Sequence, residues 1–418
     1  MGNFQLLCQE CGRAVEEGRR CPACNGVLAT HYVEPDEDEW DDCADLPGIW
    51  RYAPVLPVCD LDFVVSLGEG DTPLVRSERL AASLGLENLY FKMESANPTG
   101  SYKDRIAAVA ISRALELGQQ SWLGTSSGNG GAAVAAYGAR AGLPGLICTS
   151  PGAAPAKLAQ AQAYGARILK VEGFGSSPAA DKLVFDTLLT ASEKYNQALF
   201  ITAHAFDPWG MDGVKTIAYE IAEELLEVPD RVFVPAGGGG LATAIARGFR
   251  DWHMVAGDWY LLHDETPNRP RLTVVQADGC SPIAGSWLKG GGLEPIERIT
   301  TAISGVQLTD PPDGNALLRI LREDNGSATS VSDEATYVAQ WRLATEEGIF
   351  VEPASALTVA AVIQAVEREE VEPDESIVCI LTGSGFKDQV AVEAMAARQS
   401  PEQIPLDALN GWLEAQHQ

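Results

Sequence analysis

"ESANPTGSYKDRIAAVAI", residues 94–111, runs an irregular stretch straight into a helix and sets a lysine at the junction. Pro98 and Gly100 break the chain, Thr99 and Ser101 are N-cap candidates, and Ile106, Ala107, Ala110, Ala114 and Leu117 recur at the helical period. Lys103 therefore falls in the first helical turn, where the positive end of the helix dipole disfavours a cation by about 0.3–1 kcal/mol. Asp104 offsets part of that cost. An amine held there is biased toward its neutral, nucleophilic form, which is what Schiff-base chemistry requires.

Outward from this helix, strands and helices alternate. Short apolar runs at 88–93, 121–126, 145–150, 167–172, 231–236, 272–277 and 376–383 predict strands, with helical patterns such as "GGAAVAAYGARAG" and "GVKTIAYEIAEELLE" between them. That alternation predicts an α/β fold of doubly wound, mostly parallel sheets, with ligands bound beyond the carboxyl ends of the strands. Three loops fall at such ends: "TSSGNGG" (125–131), "PAGGGGLATA" (235–244) and "LTGSGFKD" (381–388). Consecutive glycines before a helix form a nest of N–H donors for a phosphate. Gly237, Gly239 and Ala242 also fit a dinucleotide pattern, but the Rossmann fingerprint opens the first βα unit of its fold and these lie past mid-chain. A phosphate nest, hydroxyl-rich strand ends and the lysine of an electropositive helix turn together predict a pyridoxal phosphate site.

Before this body, "CQECGRAVEEGRRCPAC" (8–24) pairs two CxxC knuckles, and four thiolates from Cys8, Cys11, Cys21 and Cys24 suit a closed, structural tetrahedral Zn²⁺ site. An acidic run at 34–45 predicts a solvated linker, and a metal site set off by it predicts a role in stability or assembly more than in chemistry. The other five cysteines show no disulfide-framework spacing. A formal charge of −28 over 418 residues argues against nucleic-acid or anionic-membrane partners. No secretory signal and no membrane-spanning apolar run is found, so a cytoplasmic location is expected. Residues 251–270 interrupt the βα pattern as a surface excursion of unassigned role.

Taken in order, "SLGEGDTPL", "ESANPTGSYKD", "SSGNGGAAVAAYGARAG", "KLAQAQAYGARI", "EEGIFVEPASALTVAAV" and "LTGSGFKD" resemble the threonine synthases, fold-type II pyridoxal phosphate enzymes of the tryptophan synthase β-like kind. The resemblance spans roughly residues 1–395, including an N-terminal zinc-ribbon-like segment. It implies a ribbon at 1–33, the acidic linker at 34–65, a large cofactor-binding lobe at 66–104 and 206–395, a small mobile lobe at 105–205 and a tail at 396–418. It implies Lys103 as cofactor-bearing lysine and proton shuttle, Asn129 at the cofactor's 3′-oxygen, Gly237, Gly238, Gly239 and Gly240 around its phosphate, and Thr382 at its ring nitrogen. The substrate carboxylate would lie on the loop of Ser126, Ser127, Gly128 and Asn129. The implied reaction turns O-phospho-L-homoserine and water into L-threonine and phosphate. "DPWGMDGVKT" (207–216) departs from the family in placing Gly210 where an arginine is usual, which leaves Lys215 or Lys182 to meet the substrate phosphate. With "GGGGL" and "SSGNGGAA", this keeps an alternative open: β-elimination or β-replacement on serine, phosphoserine or threonine, as in dehydratases or cysteate synthase-like enzymes. A homodimer is the expected assembly.

Overall fold

A computed structural model describes residues 4–416 apart from 17, 127, 154, 176, 257–268 and 399–400. Most of the surface excursion, and Ser127, thus lie outside the described residues. The described residues form three sheets. The first is N-terminal and antiparallel, with β1 (Phe4–Cys8) between β2 (Ala14–Val15) and β3 (Leu28–Tyr32).

The body holds two sheets, and the chain crosses from one to the other and back. It begins with β4 (Leu74–Arg76) and β5 (Asn88–Lys92), then builds β6 (Trp122–Thr125), β7 (Gly145–Thr149), β8 (Arg167–Lys170) and β9 (Ala198–Phe200) as a separate four-stranded parallel sheet in the order β8-β7-β6-β9. It returns with β10 (Arg231–Pro235), β11 (Arg271–Ala277), β12 (Ser327–Val331) and β13 (Ser376–Ile380) to complete a six-stranded sheet, β12-β11-β10-β13-β5-β4. Only β4 runs antiparallel to its neighbour there. Every residue of β10 and β13 is buried, the continuous apolar signature of a strand covered on both faces.

Six helices matter to the site: α1 (Lys103–Glu116), α2 (Asn129–Ala141), α3 (Thr216–Leu225), α4 (Gly240–Ala256), α5 (Gly314–Glu323) and α6 (Pro353–Glu367). The expected linker at 34–65 is corrected in its second half. Ile49, Trp50, Tyr52, Val55 and Leu56 are buried in the main core, and Trp50 Nε1 donates to Glu69 at 2.7 Å. An apolar "GIWRYAPVLPV" follows the acidic run, and its side chains have too much surface to leave in water.

The N-terminal sheet is docked, not tethered. Tyr32 Oη donates to Asp212 Oδ2 at 2.6 Å, Thr30 Oγ1 donates to the same oxygen, and Arg247 of α4 joins Asp212 Oδ1 (2.9 Å) to the Thr30 carbonyl (2.5 Å). Val27 packs on Ala203 and Ala205, Trp209 packs against the Leu6, Cys8 and Leu28 cluster, and Arg319 of α5 reaches Gln9 and Glu10. The segment 203–212 is therefore walled by the first 32 residues.

Candidate active site

Lys103 is the first residue of α1. The N-cap expectation is corrected: Tyr102 stands there without a side-chain cap, its N–H bonded to the Thr382 carbonyl at 3.1 Å. Thr99 instead donates through N (2.9 Å) and Oγ1 (2.7 Å) to Asp104, while Ser101 bridges to Gly383. These bonds splice the start of α1 to the loop after β13. Asp104 is no surface counter-charge, since burial pushes its carboxyl up to about 7 against the Thr99 hydrogen bonds. Lys103 Nζ donates to Thr202 Oγ1 at 2.9 Å and lies 4.4 Å from the Tyr102 ring centre. Desolvation brings this amine down to about 7, with the Glu352 and Asp313 carboxylates acting in the opposite sense. Burial thus favours its neutral, nucleophilic form.

Beneath α1 lies a buried ionic frame. Arg105 Nη1 meets Glu220 Oε1 at 2.6 Å and its Nη2 meets Glu94 Oε1 at 2.8 Å, while Lys92 Nζ lies 3.0 Å from Glu220. Asn97 Nδ2 donates to Glu94 Oε2 at 2.9 Å. Burial opposes the Glu220 carboxylate, but Arg105 and Lys92 outweigh it and hold its pKa at about 2. Glu94, Asn97, Thr99, Asp104 and Arg105 of the opening motif thus hold the helix that presents the lysine.

Asn129, at the start of α2, and Thr382, beyond β13, converge on one carboxylate. Asn129 Nδ2 donates to Glu352 Oε2 at 2.9 Å, and Thr382 Oγ1 donates to Glu352 Oε1 at 3.0 Å. Ser355 Oγ lies 2.8 Å from Thr382 Oγ1. Burial raises the Glu352 carboxyl, with the Asn129 and Thr382 bonds pulling it down. Sequence reasoning missed Glu352 and Ser355, although a glutamate just before Pro353 at a helix start was the available signal. Thr202 and Asp313 lay in no motif.

Gly237–Gly240 close the turn from β10 into α4, with Gly239 at φ +88°. A Cβ on Gly237 would stand 2.9 Å from the Gly305 carbonyl oxygen, and one on Gly240 would stand 2.8 Å from Met211 Cε. Among the described residues, the backbone N–H groups of Gly237 through Leu241 meet no protein acceptor. Five free amides at a helix start fit a phosphate, and Lys103, Asn129 and Thr382 fit the reacting and ring positions of pyridoxal phosphate.

Ser126 closes its own turn by accepting from Gly128 N at 3.2 Å, leaving the start of α2 open beside it. Lys215 is not brought to the site, which corrects its expected role in substrate binding. Fully buried, its Nζ lies 2.9 Å from Asp251, 3.3 Å from Asp212 and 4.3 Å from the Tyr32 ring centre, where it clamps the N-terminal sheet. Lys182 pairs with Asp186 on an exposed helix face. The sulfurs of Cys8, Cys11, Cys21 and Cys24 all lie within 4.8 Å of one another, a donor set suited to a metal ion. Desolvation works against the Cys21 thiolate, but hydrogen bonds from the Ala23 and Cys24 backbone and from the Cys11 and Cys8 thiols bring it down to about 6.

Comparison with known proteins agrees with this geometry. A family model described as pyridoxal-phosphate dependent enzyme matches residues 65–383. Threonine synthase of Methanosarcina acetivorans is 35% identical over 416 residues, covering 97% of this chain and 98% of that protein. Threonine synthase of Methanocaldococcus jannaschii is 37% identical over 412 residues, 96% of each. Among solved structures, threonine deaminase isoform 2 from Solanum lycopersicum superposes with a TM-score of 0.65 at 23% identity, covering 89% of this chain and 91% of that one. Maize serine racemase gives 0.61 at 21%, covering 78% and 93%. At those identities the structural likeness establishes the fold alone. The chain belongs to the pyridoxal-phosphate dependent enzymes and, among them, to the threonine synthase family.

Proposed function

We propose that this lyase converts O-phospho-L-homoserine and water to L-threonine and phosphate. The observation that carries this is the Lys103 amine, brought to about 7 by desolvation, in one site with the Glu352-bound Asn129 and Thr382 and the unpaired amides of Gly237–Gly240. Those amides would hold the phosphate of pyridoxal phosphate, Asn129 its 3′-oxygen and Thr382 its ring nitrogen. Bound there, the cofactor supplies the electron sink that lets the α-proton leave. Lys103 carries it and, once released, takes the proton from Cα and moves the one at Cβ, while Thr202 Oγ1 holds Nζ in place. The Ser126–Asn129 loop and the start of α2 take the substrate carboxylate. Phosphate would then leave Cγ, a proton would be delivered to Cγ to make the methyl group, water would add at Cβ, and the α-proton would be returned to Cα.

We read the four cysteines as a structural Zn²⁺ site, and the enzyme as a cytoplasmic homodimer. One observation favours the second reading, β-elimination or β-replacement on serine, phosphoserine or threonine: Gly210 offers no cation to a distal phosphate. Assaying O-phosphohomoserine, phosphoserine, serine and threonine for phosphate, amino acid and 2-oxo acid separates the two. Equal phosphate and threonine from O-phosphohomoserine is the expected result. Inertness toward it with turnover of serine or phosphoserine installs the second reading.

A further inference from the structure

A phosphate dianion on the distal end of a substrate needs charged donors in a site that excludes water. The segment 203–212 has no room for one at 210: a Cβ there would stand 2.3 Å from Asp207 Oδ2 and 3.0 Å from Ala110 Cβ. The neighbouring cations are engaged. Arg105 is held by Glu94 and Glu220, Arg247 by Asp212, Lys215 by Asp212 and Asp251, and Lys387 by the Thr99 carbonyl and Gln160. Arg19 donates to the Phe206 carbonyl at 2.6 Å and lies 5.4 Å from the Trp209 ring centre.

Arg20 differs from all of these. It is half-buried, 5.9 Å from the Phe206 ring centre, and among the described residues its side chain makes one long hydrogen bond of 3.4 Å, to the Asn25 carbonyl. Among the described residues no carboxylate pairs with it, although Asp313 acts on it through space. A second observation points to a ligand on the same turn. His204, two residues after the partner of Lys103, is 1% exposed; its Nδ1 lies 3.3 Å from Asp313 Oδ2, and its Nε2 has no partner among the described residues. The acids nearby are occupied or countered. Asp313 accepts from His204 N (2.9 Å) and Ala205 N (3.0 Å), while Asp207, whose Oδ2 is also unpartnered, accepts from Gly210 N and sits within the field of Arg19.

We propose that Arg20, carried in by the N-terminal cysteine module, and His204 Nε2 together hold the substrate's terminal phosphate, in place of the arginine absent at 210. This rests on the phosphorylated-substrate reading above. The N-terminal module is then part of the substrate pocket. A metal held by Cys21, the next residue, would fix the backbone from which Arg20 reaches.

The test uses holoenzyme and two probes: inorganic phosphate by calorimetry and O-phospho-L-homoserine by steady-state kinetics. Arg20→Gln is expected to weaken phosphate binding by about 10–100-fold and raise KM by a similar factor, with kcat within about 3-fold and metal content unchanged. Arg20→Lys keeps the charge and is expected to recover part of the loss, which guards against a folding artefact. His204→Asn keeps a donor for Asp313, deletes Nε2, and is expected to weaken both by about 5–10-fold. Lys157, a half-buried lysine 4.0 Å from Asp388, is the rival cation, and Lys157→Gln is expected to leave both readouts within about 2-fold. Unchanged binding and KM in Arg20→Gln, or the main loss in Lys157→Gln, overturns the proposal while threonine synthesis stands. A wild-type enzyme inert toward O-phosphohomoserine that still binds phosphate through Arg20 overturns the substrate reading alone.

Discussion

At the scale of single residues, the site rests on one amine and one carboxylate. Lys103 is brought to about 7 from an ordinary 10.5, so the native chain holds a neutral amine where the unfolded chain holds a cation. Between those values the unfolded state binds more protons, and this group's contribution to stability rises with pH from about 7 to 10.5. Cofactor capture requires the neutral amine, so the rate at which apoenzyme develops its visible band is expected to climb through pH 7 and then level off. A rate flat from pH 5.5 to 8.5 would contradict the assignment. Glu352 orders the opposite wall, since Asn129 and Thr382 both lean on it. Glu352→Ala is expected to lower kcat about 100-fold, and Glu352→Gln, which keeps one acceptor of two, about 10-fold. Cofactor absorbance read alongside separates lost positioning from lost binding.

At the scale of elements, the seven strands expected from apolar runs are all present, because short runs of β-branched and apolar residues between helical patterns mark parallel strands directly. β1, β2, β3, β4, β9 and β12 escaped notice. "FQLLC" and "LATHY" are short and antiparallel, "ALF" has three residues, and "SATSV" is polar for an edge position. Local pattern likewise exposed Lys103, the glycine turn and the cysteines, since each is a contiguous motif. Glu352, Thr202, Asp313 and Lys215 were misjudged or missed because their roles depend on partners far off in the chain, which periodicity does not encode. The same distance explains α1, whose motif reads as catalytic yet is mostly frame. Arg105→Met strands Glu94 as a buried, unpaired carboxylate and leaves Glu220 to Lys92 alone, and is expected to cost about 3–5 kcal/mol. In the wild type Glu220 adds stability that is lost as pH falls from 4.5 toward about 2. In the variant, protonation relieves the buried charge, so the destabilisation measured by denaturant titration is expected to shrink at acid pH. A deficit that grows on acidification would refute the frame.

At the scale of the whole molecule, the N-terminal sheet and the catalytic body are one structure. Tyr32, Thr30 and Arg247 meet on Asp212, at the end of the segment that follows Thr202, the partner of Lys103. The expectation that metal loss harms stability or assembly more than chemistry is revised on this ground. Cys11→Ser is expected to release the ion, lower Tm and also reduce kcat/KM by at least about 10-fold, because three ligands hold a metal far less well than four. Metal analysis with calorimetry and kinetics on one preparation checks this; full kcat/KM in a metal-free, folded chain would disprove the coupling. The grip on Asp212 also has a timetable. Tyr32 and its acceptor are separated by 180 residues, so at about 5–20 residues per second the ribosome needs roughly 10–40 s to supply the second half of the contact. Through that interval the N-terminal sheet lacks its docking partners on the body, and its packing against the segment 203–212 is finished late in synthesis. A metal held by the four thiolates, as proposed above, would then be needed at the moment of translation and not only afterwards for newborn chains to become competent.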